Sequence, residues 1–389
     1  MSLTGRPIAW IRAHIRPLRL VWSIFIVHLL LVLVTVAVWQ HYFGTLSKDI
    51  LPRTYGVFIA GLSHWDGTWF LSVAKHGYTQ STPNATAFFP LYPLVMRLLA
   101  HLLSFGAHGH FSGPVGDRTY FLSGIIISNA AFLCALCLLY LIGTRRWSRT
   151  QTLRGLWLLA LFPSSYYFSA VYSESLFLMF IAGGFLSAYQ RRFALAGLCL
   201  ALAALTRSLG VFAVPSMLWI IWVQFRAHRQ WSVAFRNAVT VSVLPVVGLC
   251  TYFVWLEHVY RNPLMFMTAE KSHWHRHFDW LGKSLKLDYH NDPLGFLTCL
   301  LFLALLVLSI RALPFEQWLF SAIAFLIPLS SVAGKYPMSM IRFAAVLFPV
   351  FLFLGARIRR VETYQALVAV SIVVLVWLTG LFASAHWVA

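Results

Sequence analysis

Acidic side chains are so few in this sequence that each can be weighed as a candidate for chemistry: eleven Asp and Glu against thirty Lys and Arg in 389 residues. Asp66 keeps the most suggestive company. It lies in His64-Trp65-Asp66-Gly67-Thr68-Trp69, flanked by two indoles, and Trp favours the membrane–water interface. A carboxylate at that depth is partly desolvated, which suits it to act as a base. Glu174, Arg207, Lys335 and Arg342 stand on short turns between apolar runs. Arginine can grip a phosphate bidentately, and lysine adds a point charge. With a carboxylate beside them to take a proton from an attacking hydroxyl, these groups suit transfer from a phosphate-linked lipid carrier. Against this stands a plainer reading: Asp66 caps an interfacial helix, and the cations snorkel to headgroups.

Other reactive residue types are less telling. His273, His275 and His277 alternate, with His258 and His290 nearby. Such spacing binds zinc from a strand, but neither a strand signal nor a paired carboxylate accompanies it. His76 is near enough in sequence to orient Asp66, and His28, inside an apolar run, reads as a helix–helix hydrogen-bond partner. All five cysteines fall in apolar segments, so a disulfide framework is not expected. Cys134-x-x-Cys137 has no second pair. No G-x-S-x-G, P-loop or dinucleotide fingerprint is present.

The elements that must position these groups are membrane spans. Hydrophobic residues make up 60% and charged ones 11%, with mean hydropathy +0.75; a soluble chain carries about 25% charged residues. The net charge of +19 is spread over short clusters between apolar segments. It therefore reports topology and anionic-lipid contact, and no nucleic-acid partner is expected. The twenty-residue criterion gives an all-α polytopic membrane protein of about eleven transmembrane helices. Their expected positions are 21–43, 119–142, 155–172, 175–189, 193–205, 210–225, 239–255, 293–310, 318–332, 343–356 and 367–385. The whole chain, 1–389, reads as one transmembrane domain. The arginines at 6–19, 145–154, 191–192, 226–236 and 357–360 place the N-terminus in the cytoplasm and the C-terminus outside. Two long segments, 44–118 and 256–292, then lie outside. The first contains Asp66 and interfacial pieces such as Leu91–Leu103. Asp49, Asp66, Asp117, Glu174, Glu257, Glu270, Asp279, Asp288 and Asp292 fall outside; Glu316 and Glu362 fall inside. No acid sits mid-span, which weighs against an ion-coupled transporter.

Five stretches then stand in a recognisable order: HWDGTWFLSVAKHGY with AFFPLYPLVMRLL, LFPSSYYFSAVYSESLF, ALTRSLGV, NPLMFMTAEKSHWHR and SMIRFAAVLFPVF. Over about residues 60–355 they resemble the PIG-V-like mannosyltransferases. The resemblance implies a C-type (GT-C) glycosyltransferase using a polyprenyl-phosphate sugar, usually mannose. Eukaryotic members of that family add the second mannose to the glycosylphosphatidylinositol (GPI) precursor from dolichyl-phosphate mannose. By the same resemblance Asp66 is the general base and Arg342 a candidate for the donor phosphate. Glu174 and Arg207 match family positions without a derivable role, and Asn262 stands where the family commonly has aspartate. The substrate-binding set is Trp65, His76, Tyr78, Phe89, Tyr92, Tyr172, Glu174, Arg207, Lys335 and Arg342. The chain is short for a eukaryotic member, so a bacterial cell-membrane homologue is expected, with its site on the outer face.

The reaction expected is an inverting transfer through an oxocarbenium-like state. It needs a base for the acceptor hydroxyl and positive charge on the departing phosphate, and no metal or other cofactor. The partners are the polyprenyl-phosphate-mannose donor, a lipid or glycan acceptor, and the bilayer. The alternatives are a lipid-linked sugar or polysaccharide transporter of the same architecture, and a metal-dependent transferase using Glu174 or the outer histidines.

Overall fold

The computed structural model describes residues 6–43, 55–108, 115–227, 229–333, 339–386 and 388. Lys335 and Asp49 lie outside the described residues. Among the described residues the chain forms seventeen α-helices and a single two-stranded ribbon. In order the helices begin α1 (Arg6–Tyr42), α2 (Val57–Leu62), α3 (Asp66–His76), α4 (Leu91–His108), α5 (Asp117–Gly143), α6 (Arg149–Ala160), α7 (Glu174–Tyr189), α8 (Phe193–Thr206) and α9 (Val214–Arg226). There follow α10 (Trp231–Tyr260), α11 (Met265–Ser272), β1 (Arg276–Phe278), α12 (Leu281–Asn291), α13 (Pro293–Ser309), α14 (Phe315–Leu329) and β2 (Ser331–Ala333). The chain closes with α15 (Met340–Ala345), α16 (Phe348–Arg357) and α17 (Val361–Ala383).

Among the described residues five apolar stretches are long enough to cross a membrane: Leu18–Tyr42, Asp117–Gly143, Ser208–Arg226, Trp231–Tyr260 and Val361–Ala383. Six shorter apolar helices accompany them. The surface they leave is itself apolar: Val254, Val307 and Val373 are 69%, 71% and 68% exposed. In water that pattern would be a liability; facing lipid, it is what a multi-pass membrane protein needs. Local signals set the ends. Ser148 and Gln151 form a reciprocal capping box at the start of α6, and Asp292 accepts the Gly295 N–H at the start of α13, at 2.9 Å. Inside, α7 packs between α5 and α8, α8 against α10, and α17 against α1. At the α6–α16 crossing, a Cβ on Gly155 would lie 2.8 Å from the Phe351 carbonyl, so the two backbones meet there directly.

Three of the expected spans take another form. The third is not one helix: α6 stops at Ala160, before Pro163, and the chain runs on through a 3-10 turn at Ser165–Phe168 to the start of α7. This irregular stretch is almost wholly buried, and several of its backbone groups are met inside the protein. The Val171 N–H donates to the Leu62 carbonyl (2.9 Å), Ser128 Oγ to the Tyr172 carbonyl (3.1 Å), and Ser175 Oγ to the Phe168 carbonyl (2.8 Å). Such satisfaction is the condition for non-helical backbone within a membrane protein. His28, the mid-span histidine, meets the same stretch at the Ala160 carbonyl (2.7 Å) and Ser169 Oγ (3.1 Å). The sixth span opens with a 3-10 turn at Ser208–Ala213 before α9, and the tenth is split into α15 and α16.

The ribbon was not expected either. β1, within the histidine-rich segment, pairs antiparallel with β2, His277 opposite Val332. It ties the connection after α10 to the end of α14. In the other long connection, α4 exposes Leu94, Leu98 and Leu102 beside Arg97 and buries Tyr92, Met96 and Ala100. A helix apolar on both faces with one arginine suits the interface.

Candidate active site

Four charged side chains from distant parts of the chain converge at helix ends. Asp66 is the first residue of α3 and Glu174 the first of α7, where the N-terminal dipole favours a negative charge. Arg207 follows the last residue of α8, and Arg342 lies within the short α15. Arg342 Nη1 donates to Asp66 Oδ2 at 2.6 Å, and its Nε donates to Glu174 Oε1. Arg207 Nη1 donates to that same Glu174 oxygen. The side chains are withdrawn from solvent: Glu174 is 1% exposed, Arg342 10%, Asp66 14% and Arg207 16%. Two carboxylates thus balance two guanidiniums, as buried charges require.

The geometry around each member is over-determined. The Arg342 guanidinium lies over the Tyr172 ring (4.6 Å to the centroid) and the Tyr167 ring (5.3 Å), and Arg207 over Phe343 (5.1 Å). α15 is tied to the irregular stretch by Ser164 Oγ, which donates to the Ile341 carbonyl at 2.7 Å. Tyr172 Oη accepts the Asp66 N–H and donates to the His64 carbonyl, both at 3.3 Å. Trp65, next to Asp66, holds φ 56°, an uncommon conformation for a bulky residue. That turn lets His64 be buried while Asp66 opens the next helix. His64 packs on Phe382 with the Ala383 backbone as its partner, and burial pulls its pKa down to about 4, so the imidazole is neutral.

One edge of this cluster is free for chemistry. Among the described residues Asp66 Oδ2 is held by Arg342, whereas Oδ1 accepts no hydrogen bond. A carboxylate anchored through one oxygen and open at the other can receive a hydroxyl proton. Beside it, Arg342 and Arg207 retain N–H groups beyond those given to the carboxylates, since each guanidinium has five. An anion entering here meets two guanidiniums.

The remaining sequence candidates do not join the cluster. His76 ends the helix that Asp66 begins, exposed and about 15 Å away along the axis, so it does not orient Asp66. Tyr78 and Phe89 belong to an aromatic group with Tyr252; the Tyr78 hydroxyl donates to the Phe88 carbonyl at 2.6 Å. Tyr92 acts at one remove: its hydroxyl meets Ser128 Oγ (2.9 Å), which in turn holds the Tyr172 carbonyl. The histidine triplet forms no ligand set. His277 faces Asp279 at 3.7 Å, and among the described residues no three His, Cys, Asp or Glu side chains are grouped to hold a metal ion.

Sequence reasoning passed over Tyr167, Phe343 and Glu270. The first two were marked only by adjacency, to the Tyr172–Glu174 turn and to Arg342. Glu270, on α11, pairs with Arg276 (2.9 Å) and lies within electrostatic reach of Asp66 and Arg207; burial holds its carboxyl above the usual range while Arg276 pulls the other way. Trp69, one turn beyond Asp66, stacks on Phe88 and meets Trp274, so the second long connection covers α3.

Comparison with known proteins agrees in kind. The family model described as mannosyltransferase (PIG-V) matches residues 20–275. GPI alpha-1,6-mannosyltransferase 2 of Rattus norvegicus is 34% identical over 164 residues, covering 41% of this chain and 32% of the relative. GPI mannosyltransferase 2 of Cryptococcus neoformans var. neoformans is 34% identical over 149 residues, 38% of this chain and 34% of the relative. The protein of the same name in Drosophila pseudoobscura pseudoobscura is 32% identical over 121 residues, 31% and 25% of the two chains. The matched segment thus spans a quarter to a third of these relatives' length.

Proposed function

Because this chain belongs to the PIG-V mannosyltransferase family, we propose that it transfers mannose from a polyprenyl-phosphate carrier to an acceptor hydroxyl at the membrane surface. Asp66 is the general base. The observation that carries this reading is a carboxylate with one oxygen anchored and the other open, set against two guanidiniums in a site withdrawn from water.

The reaction balances on these residues. The acceptor hydroxyl oxygen attacks the sugar's anomeric carbon and forms the new glycosidic bond. The bond from that carbon to the phosphate oxygen breaks, and its electron pair leaves with the phosphate. The hydroxyl proton passes to Asp66 Oδ1. Charge grows on the leaving phosphate, where Arg342 and Arg207 meet it; fixed donors in a low-dielectric site stabilise such charge without reorganising. Attack from the face opposite the leaving group inverts the anomeric centre. A lipid phosphate is a good leaving group, so no acid is needed, and two guanidiniums supply the charge that a metal would otherwise bring.

The relatives' names point to a GPI-type glycolipid as the acceptor class. The arginine clusters near 145–154 and 357–360 support a cytoplasmic N-terminus and a site on the opposite face. The test is a transfer assay with purified protein in detergent, radiolabelled polyprenyl-phosphate mannose and lipid extract, run with and without chelator beside Asp66→Asn. A labelled product that is lost in the variant and indifferent to chelator is the expected result. Donor binding with no product from any extract and no released polyprenyl phosphate would overturn the assignment in favour of a carrier-binding transporter.

A further inference from the structure

The reaction just described uses Asp66, Arg207 and Arg342 and leaves Glu174 without a part. Yet Glu174 is the most deeply buried of the four. One of its oxygens, Oε1, takes a hydrogen bond from each arginine, and the other, Oε2, has no hydrogen-bond partner among the described residues. A carboxylate that spends one oxygen on two guanidiniums and leaves its second idle is under-used as a structural ion pair. It is well used as a counter-charge. Without it, two buried guanidiniums would face one another across the empty site with only Asp66 between them.

We infer that Glu174 is a resident substitute for the donor's phosphate: it keeps Arg207 and Arg342 gathered while the site is empty, and its fixed charge makes the site prefer a phosphodiester to a phosphomonoester. This rests on the carrier reading above. Charge balance gives the direction. Before the donor enters, the cluster is Asp66 and Glu174 against Arg207 and Arg342, hence neutral. The donor is a diester and brings one negative charge. The product is a monoester, and near neutral pH it carries about 1.5 to 2. Its extra charge falls beside a carboxylate that cannot move away. Arg207 is the guanidinium placed to turn toward the phosphate, being more exposed than Arg342 and free of Asp66. As it turns, the idle Oε2 lets Glu174 keep Arg342 through both oxygens. Among the described residues the other groups in reach are the phenols of Tyr167 and Tyr172 and the Glu270–Arg276 pair, whose charges cancel. None of them supplies an unpaired positive charge, so once Asp66 has given up its proton the second charge of the product has no partner among them. Glu174 touches no substrate; it acts through the two arginines as a positioning residue that hastens product release.

The test is a competition experiment near neutral pH in detergent. A short-chain prenyl phosphate and its methyl diester each displace labelled polyprenyl-phosphate mannose from the wild type, Glu174→Gln and Glu174→Asp. The wild type is expected to bind the diester at least ~10-fold more tightly than the monoester, well within the roughly 1,000-fold that a like-charge contact at about 4 Å gives at an effective dielectric near 20. Glu174→Gln should narrow or reverse that preference, and Glu174→Asp should restore it. In turnover, Glu174→Gln should lower the donor KM while kcat falls and product inhibition deepens, whereas a merely structural loss weakens both esters together. A wild type that binds the monoester as tightly as the diester overturns the inference, and that comparison needs no variant to fold. An unchanged ratio in Glu174→Gln also overturns it. Displacement by neither ester overturns the carrier reading along with it.

Discussion

Arg342 is the side chain on which the cluster can be broken in two separable ways. Changing it to alanine removes the cation that Asp66 Oδ2 meets at 2.6 Å, leaves Glu174 with Arg207 alone, and empties the space over the Tyr172 and Tyr167 rings. Asp66 then remains largely buried and unpaired. Breaking a buried pair from one side costs ~3–5 kcal/mol, a large part of the ~5–15 kcal/mol that holds a typical domain folded. Arg342→Lys keeps the charge but not the fork. An ammonium on a flexible stem cannot donate along the two fixed directions that Nε and Nη1 now serve. The expected loss is one charge-assisted hydrogen bond, ~1.5–3 kcal/mol. If that bond matters equally in the transition state, kcat/KM falls about 10- to 150-fold. The measurements are the fraction remaining monodisperse after a heating series in detergent, and initial rates of mannosyl transfer. Stability should rank wild type, then Lys, then Ala. An alanine variant as heat-resistant as the wild type would refute the buried ion-pair account. A lysine variant with unaltered kcat/KM would refute the need for a fork.

Asp66→Asn keeps the shape of the side chain and should abolish transfer, by at least ~100-fold as expected for loss of a general base, while the protein still elutes as folded; turnover like the wild type would remove Asp66 from the chemistry. Tyr172→Phe deletes the hydroxyl between the Asp66 N–H and the His64 carbonyl; it should cost ~0.5–1.5 kcal/mol and lower kcat more than it raises KM, and an unchanged kcat would show that Asp66 is held by other means. His64 has a folded-state pKa of about 4 against an ordinary 6.5, so the folded state binds fewer protons there and the contribution present above pH 6.5 is lost as pH falls toward 4, by up to ~3 kcal/mol. His64→Gln should flatten that part of the stability–pH curve, and an identical acid slope in wild type and variant would contradict a buried neutral imidazole. Gly355→Leu places a side chain against the backbone of Gln151 and Gly155 at the α6–α16 crossing; it should destabilise by more than the ~1–3 kcal/mol of ordinary overpacking, and wild-type heat resistance would mean the helices can part.

How much of this could be read from the sequence follows from what was scarce in it. Acids are so few that Asp66 and Glu174 were conspicuous, and helix-end cations so regular that Arg207 and Arg342 stood out as turns on the same side. The structure brings those four together, and this much was legible because charge near a membrane is costly and must be met. Helix breaks were not. The run LFPSSYYF is apolar enough to pass for part of a span, but Pro163 lacks the N–H that would continue the helix, Ser165 Oγ donates to the Ala160 carbonyl instead, and the helix ends at Ala160. The ribbon was missed because three residues per strand carry no periodicity to detect, and its partner lies beyond three intervening helices. His76 misled by proximity in sequence: ten residues of helix are a long way in space. The aromatic floor of the cluster, Tyr167 and Phe343, was hidden among the many rings of a chain that is 16% aromatic.

The pair Asp66–Arg342 spans 276 residues of chain, and this sets an order on biogenesis. Helices enter the membrane as they are made, N-terminal ones first. Until α15 is synthesised, the nascent protein holds Asp66 and Glu174 with Arg207 as the one cation paired with them among the described residues. Such a half-site carries an excess negative charge and must stay hydrated, so α3, α7 and the end of α8 cannot close on one another. Arrival of Arg342 neutralises the excess, and only then can water leave. The last helices are therefore the latch of the whole assembly: a chain stopped short of residue 340 lacks the guanidinium that Asp66 and Glu174 both meet.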